Sequence, residues 1–522
     1  MNGPSGQAAL ALWQAAERLR GSGDLVAAGE HYTRLAASPD WQAPARLRLG
    51  QLALQQGRLA EAAEQALAAA RAEETDPALL EALLTLLCRT GELEAALGLS
   101  RHPALVQVPD PAVQQGVGER LLEQSFPAQA RPFLQRARAL GGDSAALHYQ
   151  LGLAALYAGD AAQAEAGFEA CLARQPLHGA AYRQLAKLRR ATPENNHVDR
   201  LRAAIAAAGE AFPDAPPLHY ALFKELDDLG QTADAWQALA TGMRLRRAQL
   251  QFDPAAEEAV FEQLMRLPTR VPADEGGAGP VPVFILGQPR SGTTLLERIL
   301  GGAPEVADAG ELRDFGYQAR VLAGLPGPPP PDLALLQALE ARDLAGLGRR
   351  YLAHTRWRAG GKRYYTDKLP ANFVWLGHIA RALPQARFLH LVREPMDVCF
   401  SNLKELFANA YPHSYDQVEM AGHFRRYHRL MAHWRQAFPE RVLDVEYQAL
   451  VTDPEGQARR VLAFLGLPWT PGLAAIEKRE GAVATASAVQ LREPVHARFL
   501  GQWRRYEAPL APLRQALGEL AD

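Results

Sequence analysis

The chain has 522 residues, a formal net charge of -2 and a hydrophobic content of 48%. That length exceeds one ordinary core, so two or three domains are expected, and the near-neutral balance offers no global basic excess of the kind nucleic-acid binding draws on. The three cysteines, Cys88, Cys171 and Cys399, are widely spaced. They suit small buried side chains in a reducing compartment rather than disulfides or a metal site. The opening MNGPSGQAALALWQAAERLR has neither a basic n-region nor a long apolar core. No later stretch stays apolar over about 18 residues. The expectation is a cytoplasmic protein with no membrane and no nucleic-acid partner.

Gly23, Gly57 and Gly91 recur at intervals of 34 residues, and Gly159 lies 68 further on, with Ser125 at the intervening turn. A 34-residue period of helix-turn-helix units is the tetratricopeptide pattern. Leu47, Leu49, Leu52 and Leu54 fall in one helix of a unit, and Ala62, Ala63, Ala66 and Ala69 let the next helix approach closely. The segment 147–176 is the best single match, and the last clear pair turns at Gly230. The 71 residues from Gly159 to Gly230 exceed two periods, so TPENNHVDRLRAA carries a small insertion. A helical solenoid over 9–266 is expected. Its concave face would serve a peptide or protein partner, or the array would scaffold the rest of the chain or a homodimer. Tyr149, Tyr157 and Tyr182 are expected to pack between helices rather than line a groove. The Pro- and Gly-rich stretch 267–280 reads as a linker.

Over 281–522 the pattern changes to α/β. Val283 to Leu286 is a short continuous apolar run, as a strand buried on both faces should be. Gly287-Gln-Pro-Arg-Ser-Gly292-Thr293-Thr294 then leads into a helix with the glycine spacing of a phosphate loop, but Thr293 stands where a Walker lysine belongs. Amides at a helix N-terminus attract an anion without that lysine. With Arg290, Ser291, Thr293 and Thr294, the loop suits a terminal oxyanion better than a magnesium triphosphate. Glu311 follows in VADAGEL, and Lys368 lies just past a short strand, before a helix from about Asn372. Residues 387–392 form a buried strand ending at Arg393, with Ser401 on the next helix. Ligands of open α/β sheets bind beyond the carboxyl ends of strands. A nucleotide with phosphates at both ends of its ribose could therefore span Arg290 and Arg393. HFRRYHRLMAHW is read as a helix whose Phe424, Tyr427, Leu430 and Met431 form a core stripe.

PRSGTTLLERIL followed by ADAGEL resembles the 5′-phosphosulfate loop of sulfotransferases that use 3′-phosphoadenosine 5′-phosphosulfate. The nearest resemblance is to bacterial tetratricopeptide-repeat sulfotransferases, whose catalytic domain is similar to tyrosylprotein sulfotransferases. The implied fold is a helical solenoid followed by a phosphate-loop-like α/β domain with a central parallel sheet. The resemblance implies that Arg290, Ser291, Gly292, Thr293 and Thr294 hold the phosphosulfate, and that Arg393 and Ser401 hold the 3′-phosphate. It also implies nucleotide contacts from Tyr447 and Trp503. Glu311 would be the base, with Lys368, Arg290 and Ser487 stabilising the transferred or leaving group, and no metal would be required. The implied acceptor is a hydroxyl, first a tyrosine of a peptide or protein held by the repeats, and otherwise a carbohydrate or small metabolite. A nucleotide kinase and an inactive repeat adaptor are the readings outside this class. Gln502 stands where the family often carries a basic residue before the tryptophan, so the expectation is either that Arg504 or Arg505 compensates or that the 3′-phosphate is held less tightly.

Overall fold

The computed structural model describes residues 6–272, 279–479 and 493–521. The chain divides into two compact units. One comprises Met1–Asp143, Arg313–Pro329 and Gln337–Trp357, and the other Ser144–Leu312, Pro330–Leu336 and Arg358–Asp522.

The first unit is built of antiparallel helix pairs. The recurrent turn residues do what their spacing predicts: Gly23, Gly57 and Gly91 have φ of 89°, 73° and 77°, and Ser125 takes the same left-handed conformation at 64°. Helix starts are capped by short acidic side chains, as where Asp76 accepts from the Ala78 amide at 3.0 Å. The helices Asp314–Ala323 and Leu344–Thr355 belong to this unit and pack through Phe315 against Tyr351.

The second unit contains the later repeats together with a five-stranded sheet. In the helices Ala145–Ala158 and Ala161–Arg174, a Cβ on Gly152 would lie 2.6 Å from the Phe168 ring, and one on Gly167 would lie 2.8 Å from the Gly152 backbone. Small residues at the crossing are therefore what let this pair close. The segment TPENNHVDRLRAA runs from a loop into the helix Val198–Ala208. The last repeat helices are Ala215–Asp228, Thr232–Ala248 and Pro254–Met265.

The strands are β1 (Val281–Gly287), β2 (Val306–Ala307), β3 (Tyr364–Asp367), β4 (Arg387–Val392) and β5 (Val442–Glu446). Their spatial order is β2-β3-β1-β4-β5, all parallel. The chain leaves β1 toward β2 and β3 on one side and returns to β4 and β5 on the other. The carboxyl ends of β1 and β4 therefore flank the switch point where open α/β sheets bind ligands. β1 alternates between two cores. Val283 and Ile285 pack with Leu296, Ile299 and Leu300 of the helix Thr293–Leu300, while Phe284 stacks on Phe388 of β4 at 5.6 Å. Lys368 follows β3 directly, and the helix expected from about Asn372 is a 3-10 turn, Pro370–Val374, leading into Leu376–Ala382. The helix Gln417–Ala437 buries Phe424, Tyr427, Leu430 and Met431 as its periodicity predicts. No helix among the described residues is long and apolar enough to cross a membrane. Phe284 has no exposed surface, so Phe284→Ala is expected to remove about 3–5 kcal/mol of stability, read as a lower urea midpoint at unchanged slope.

Candidate functional site

β1 ends at Gly287, and the loop Gly287–Gly292 turns into the helix Thr293–Leu300. The turn needs unusual backbone. Gly292 has φ of 105°, and a Cβ there would meet the Tyr447 ring at 2.5 Å. Arg290 itself lies in the left-handed region at 67°, a conformation that persists in a non-glycine residue only where its surroundings hold it. Those surroundings are identifiable. Arg393, the residue after β4, donates from Nη1 to the Arg290 carbonyl at 2.8 Å and from Nη2 to the Phe499 carbonyl at 2.7 Å. Asn402 donates to the Pro289 carbonyl at 2.8 Å. Below the loop, Gln288 meets His423 at 3.2 Å, and His423 meets Glu257 at 2.9 Å.

Glu257, His413 and His423 bring three possible metal-ligand atoms together. The two imidazoles stack at 3.6 Å with only 9° between their planes, so both cannot aim in-plane lone pairs at one ion. Arg426 occupies the other Glu257 oxygen. Burial would raise Glu257, but His423, His413 and Arg426 outweigh it and hold the carboxyl at about 2. The cluster is an ion-pair anchor under the loop.

Above the loop lies a pocket of about 320 Å³. Arg290, Gly292, Thr293 and Thr294 line it from the first strand end, and Arg393, Ser401 and Tyr447 from the neighbouring strands and helix. Glu311 faces the same space. Burial, then the nearby Arg393, pushes the Arg290 guanidinium down to about 10. Two cations crowded in a desolvated pocket are arranged for an anion. Arg393 also lies over the Tyr447 ring, 4.5 Å from its centroid, and Asp397 is within 3.8 Å of its Nη2.

Other expected residues sit elsewhere. Ser291 is buried, with its hydroxyl lacking a hydrogen-bond partner among the described residues, and lines an adjacent cavity of about 530 Å³ instead. Lys368 does not line the pocket. It is fully buried behind Glu311 and reaches its Oε1 with Nζ at 2.6 Å. Trp503 is buried without lining the pocket, and its neighbour Gln502 lines it instead. Ser487 lies outside the described residues.

The structure adds residues that the motifs did not reveal. Glu297, on the inward face of the helix Thr293–Leu300, accepts from the Gly310 amide at 3.0 Å and from the Thr366 hydroxyl at 2.8 Å. It thereby fixes the backbone beside Glu311. Burial raises its carboxyl, against the opposing pull of Lys368 and Thr366. Its sequence signal was a charge among the apolar residues of LLERIL. Tyr157 lines the pocket as well as packing on the core, contrary to the expectation that it would only fill space between helices. It sits at the end of its helix, just before the Gly159 turn, where a side chain can project from the array. Finally, Lys404 lines the pocket and donates to Gln502 Oε1 at 2.7 Å. The missing basic residue is thus matched by a lysine from another element. Arg504 instead stacks on Trp503, and Arg505 pairs with Asp227.

Gly292→Ala should abolish anion binding to the folded protein, measured by calorimetry, because the added Cβ displaces Tyr447 from beneath Arg393. Burial pushes Lys404 from 10.5 down to about 8, with Asp227 opposing and Arg290, Arg393 and Arg505 reinforcing the shift. Its charge is therefore present below that pH and lost above it. Affinity for a phosphorylated nucleotide should fall about tenfold from about pH 7 to about pH 9.5. Lys404→Gln should bind more weakly and flatten this profile. The unliganded fold has the opposite sign and gains stability as pH rises above about 8, because the unfolded chain still holds the proton.

Residues 282–471 match the model of the Sulfotransferase family. An uncharacterized protein of Aquifex aeolicus (strain VF5) is 30% identical over 316 residues, covering 58% of this chain and 41% of the relative. The chain thus spans less than half the length of that relative. Protein-tyrosine sulfotransferase 1 of Danio rerio is 25% identical over 279 residues, covering 45% of this chain and 71% of the relative. Among solved structures, the sulfotransferase domain of the Synechococcus PCC 7002 olefin synthase is 25% identical with a TM-score of 0.35, covering 48% of this chain and 97% of that domain. A tetratricopeptide repeat protein from Parabacteroides merdae ATCC 43184 is 18% identical with a TM-score of 0.32, covering 46% of this chain and 94% of that one. Residues 282–471 are a domain of the sulfotransferase family, in a chain whose N-terminal half is a helical repeat array.

Proposed function

We propose that the protein transfers a sulfuryl group from 3′-phosphoadenosine 5′-phosphosulfate to a hydroxyl acceptor, foremost a tyrosine of a peptide or protein positioned by the repeats. The observation that carries this reading is the pair of anion-seeking strand ends. Arg290 and Arg393 lie in one pocket, joined through the Arg290 carbonyl, with Glu311 and Lys368 paired beside it. One bisphosphorylated nucleotide can engage both ends at once. The similarity to protein-tyrosine sulfotransferases supports the acceptor class.

The donor supplies an activated sulfur–oxygen bond, and the residues of this chain do the rest. Glu311, which is partly exposed, accepts the acceptor's hydroxyl proton as its oxygen attacks sulfur. Lys368 holds that carboxylate from behind with one N–H, which orients it and keeps its charge balanced beside the pocket. Arg290 and the amides opening the helix Thr293–Leu300 stabilise the phosphate that departs as 3′-phosphoadenosine 5′-phosphate. Arg393, Ser401 and Lys404 orient the nucleotide by its 3′-phosphate. The loop has Thr293 in place of a Walker lysine, which weighs against a magnesium-triphosphate substrate and hence against a kinase.

Thermal unfolding with 3′-phosphoadenosine 5′-phosphate, with AMP, and with ATP plus magnesium separates the readings. Selective stabilisation by the bisphosphate is expected, about 2.7 kcal/mol at 100 times the dissociation constant. Stabilisation by magnesium-ATP alone would overturn the sulfotransferase reading. Glu311→Ala should lower transfer to a tyrosine peptide by about 10²–10⁴-fold while keeping bisphosphate binding. Unchanged transfer would remove Glu311 as the base.

A further inference from the structure

The helix Gly179–Leu188 belongs to the repeat region, yet its Arg183 and Lys187 both end on the carboxylate of Glu405. Lys187 Nζ lies 3.3 Å from Oε1 and 3.2 Å from Oε2. Arg183 donates to Oε1 and also to the Leu406 carbonyl at 3.3 Å. The Glu405 side chain is 8% exposed. It directly follows Lys404 and lies one helical turn past Ser401. A buried negative charge thus stands beside the residues assigned to the 3′-phosphate.

The three residues of this cluster line a cavity of about 650 Å³. Arg290, Ser401 and Lys404 line both that cavity and the nucleotide pocket, so the two spaces share a wall. Arg183 is also among the cations that, after burial and Arg393, bear on Arg290. An uncompensated carboxylate at Glu405 would repel a bound phosphate across a low-dielectric gap and pull Lys404 away from it. Arg183 offsets that charge, and Lys187, which burial and then Arg183 push well below the usual lysine range, lies within hydrogen-bond distance of both carboxylate oxygens, so Glu405 is compensated and Lys404 is left to Gln502 and the pocket.

We propose that Arg183 and Lys187 are positioning residues for the nucleotide: by neutralising Glu405 they keep the 3′-phosphate end of the pocket positive, so the repeat region completes the donor site. This rests on the donor reading above. The cluster touches neither the acceptor proton nor the sulfuryl group, so its effect falls on donor affinity rather than on turnover.

The test is calorimetric titration of the full chain with 3′-phosphoadenosine 5′-phosphate, at two salt concentrations. Glu405→Gln keeps an acceptor for both cations but removes the charge. It should tighten binding about fivefold or more and steepen the salt dependence. The double variant Arg183→Gln, Lys187→Gln should weaken binding about tenfold or more. Adding Glu405→Gln to that pair should restore the dissociation constant to within about threefold of wild type, because the repulsion is gone. In a transfer assay the double variant should raise the donor KM and leave kcat at saturating donor nearly unchanged. A merely structural contact would lower the melting temperature without this charge-dependent pattern. Unchanged or weaker binding by Glu405→Gln, or a triple variant as weak as the double, would overturn the proposal. Should the double variant fail to fold, Glu405→Gln alone decides by the direction of its shift. A wild-type protein that does not bind the bisphosphate overturns the donor reading and this inference with it; binding by wild type without the pattern overturns this inference only.

Discussion

The site depends on holding two guanidinium groups together where water is scarce. Arg290 and Arg393 repel one another, and burial disfavours the charge on Arg290. What keeps them there is backbone. Arg393 binds the carbonyl of the very residue whose side chain it repels, and a second carbonyl at Phe499. That clasp fixes Arg290 in its left-handed conformation, and Asn402 fixes the preceding carbonyl. The parallel order β3-β1-β4 brings the two strand ends side by side. Glycine at 292 lets Tyr447 slide under Arg393, so the ring face supports the second cation. The unfavourable charge pairing is the part of the design that an anion relieves.

The later repeats take a direct part in this arrangement. Glu257 of the helix Pro254–Met265 reaches the phosphate loop through His423 and Gln288. Tyr157 lines the pocket, where the nearby Glu311 joins burial in raising its phenol while Arg183 opposes them. These contacts lie within one compact unit that spans the later helix pairs and the sheet. Glycines at the crossing of the pair that carries Tyr157 set how closely its helices pack, and therefore where that ring ends. Packing in the array and geometry at the pocket are thus linked through named side chains rather than through the fold in general.

Much of this was legible in the sequence because it is local. The 34-residue spacing of turn residues, the apolar run of β1 and the loop-to-helix transition each need only neighbours in the chain. Even Ser125, which lacks the freedom of glycine, was placed at the correct turn by period alone. The pairing of Arg290 with Arg393 followed from a topological rule about strand ends. What escaped was whatever depends on which face of a residue meets another element. Ser291 sits in the loop but turns toward the neighbouring cavity, Lys368 approaches from behind Glu311, and Glu297 acts through a buried face of its helix. None of these orientations is a property of spacing.

Gln502 shows why reading charge by position alone is incomplete. The sequence lacks a cation there, and its neighbours Arg504 and Arg505 offered the obvious substitutes. In three dimensions both point elsewhere, one onto Trp503 and the other to Asp227. Lys404 comes from the end of a different helix, and the Gln502 amide becomes its acceptor. A phosphate responds to the field at a point, not to the chain position that supplies it. Any element whose side chain reaches that point can provide the charge, at a desolvation penalty visible in how far Lys404 is pushed down. The carboxylate of the very next residue would undo that gain, and it is held by an arginine and a lysine from a helix more than two hundred residues earlier in the chain. The electrostatics of the pocket therefore belong to the assembled unit, and a reading confined to 281–522 would misjudge the sign of the charge at Glu405.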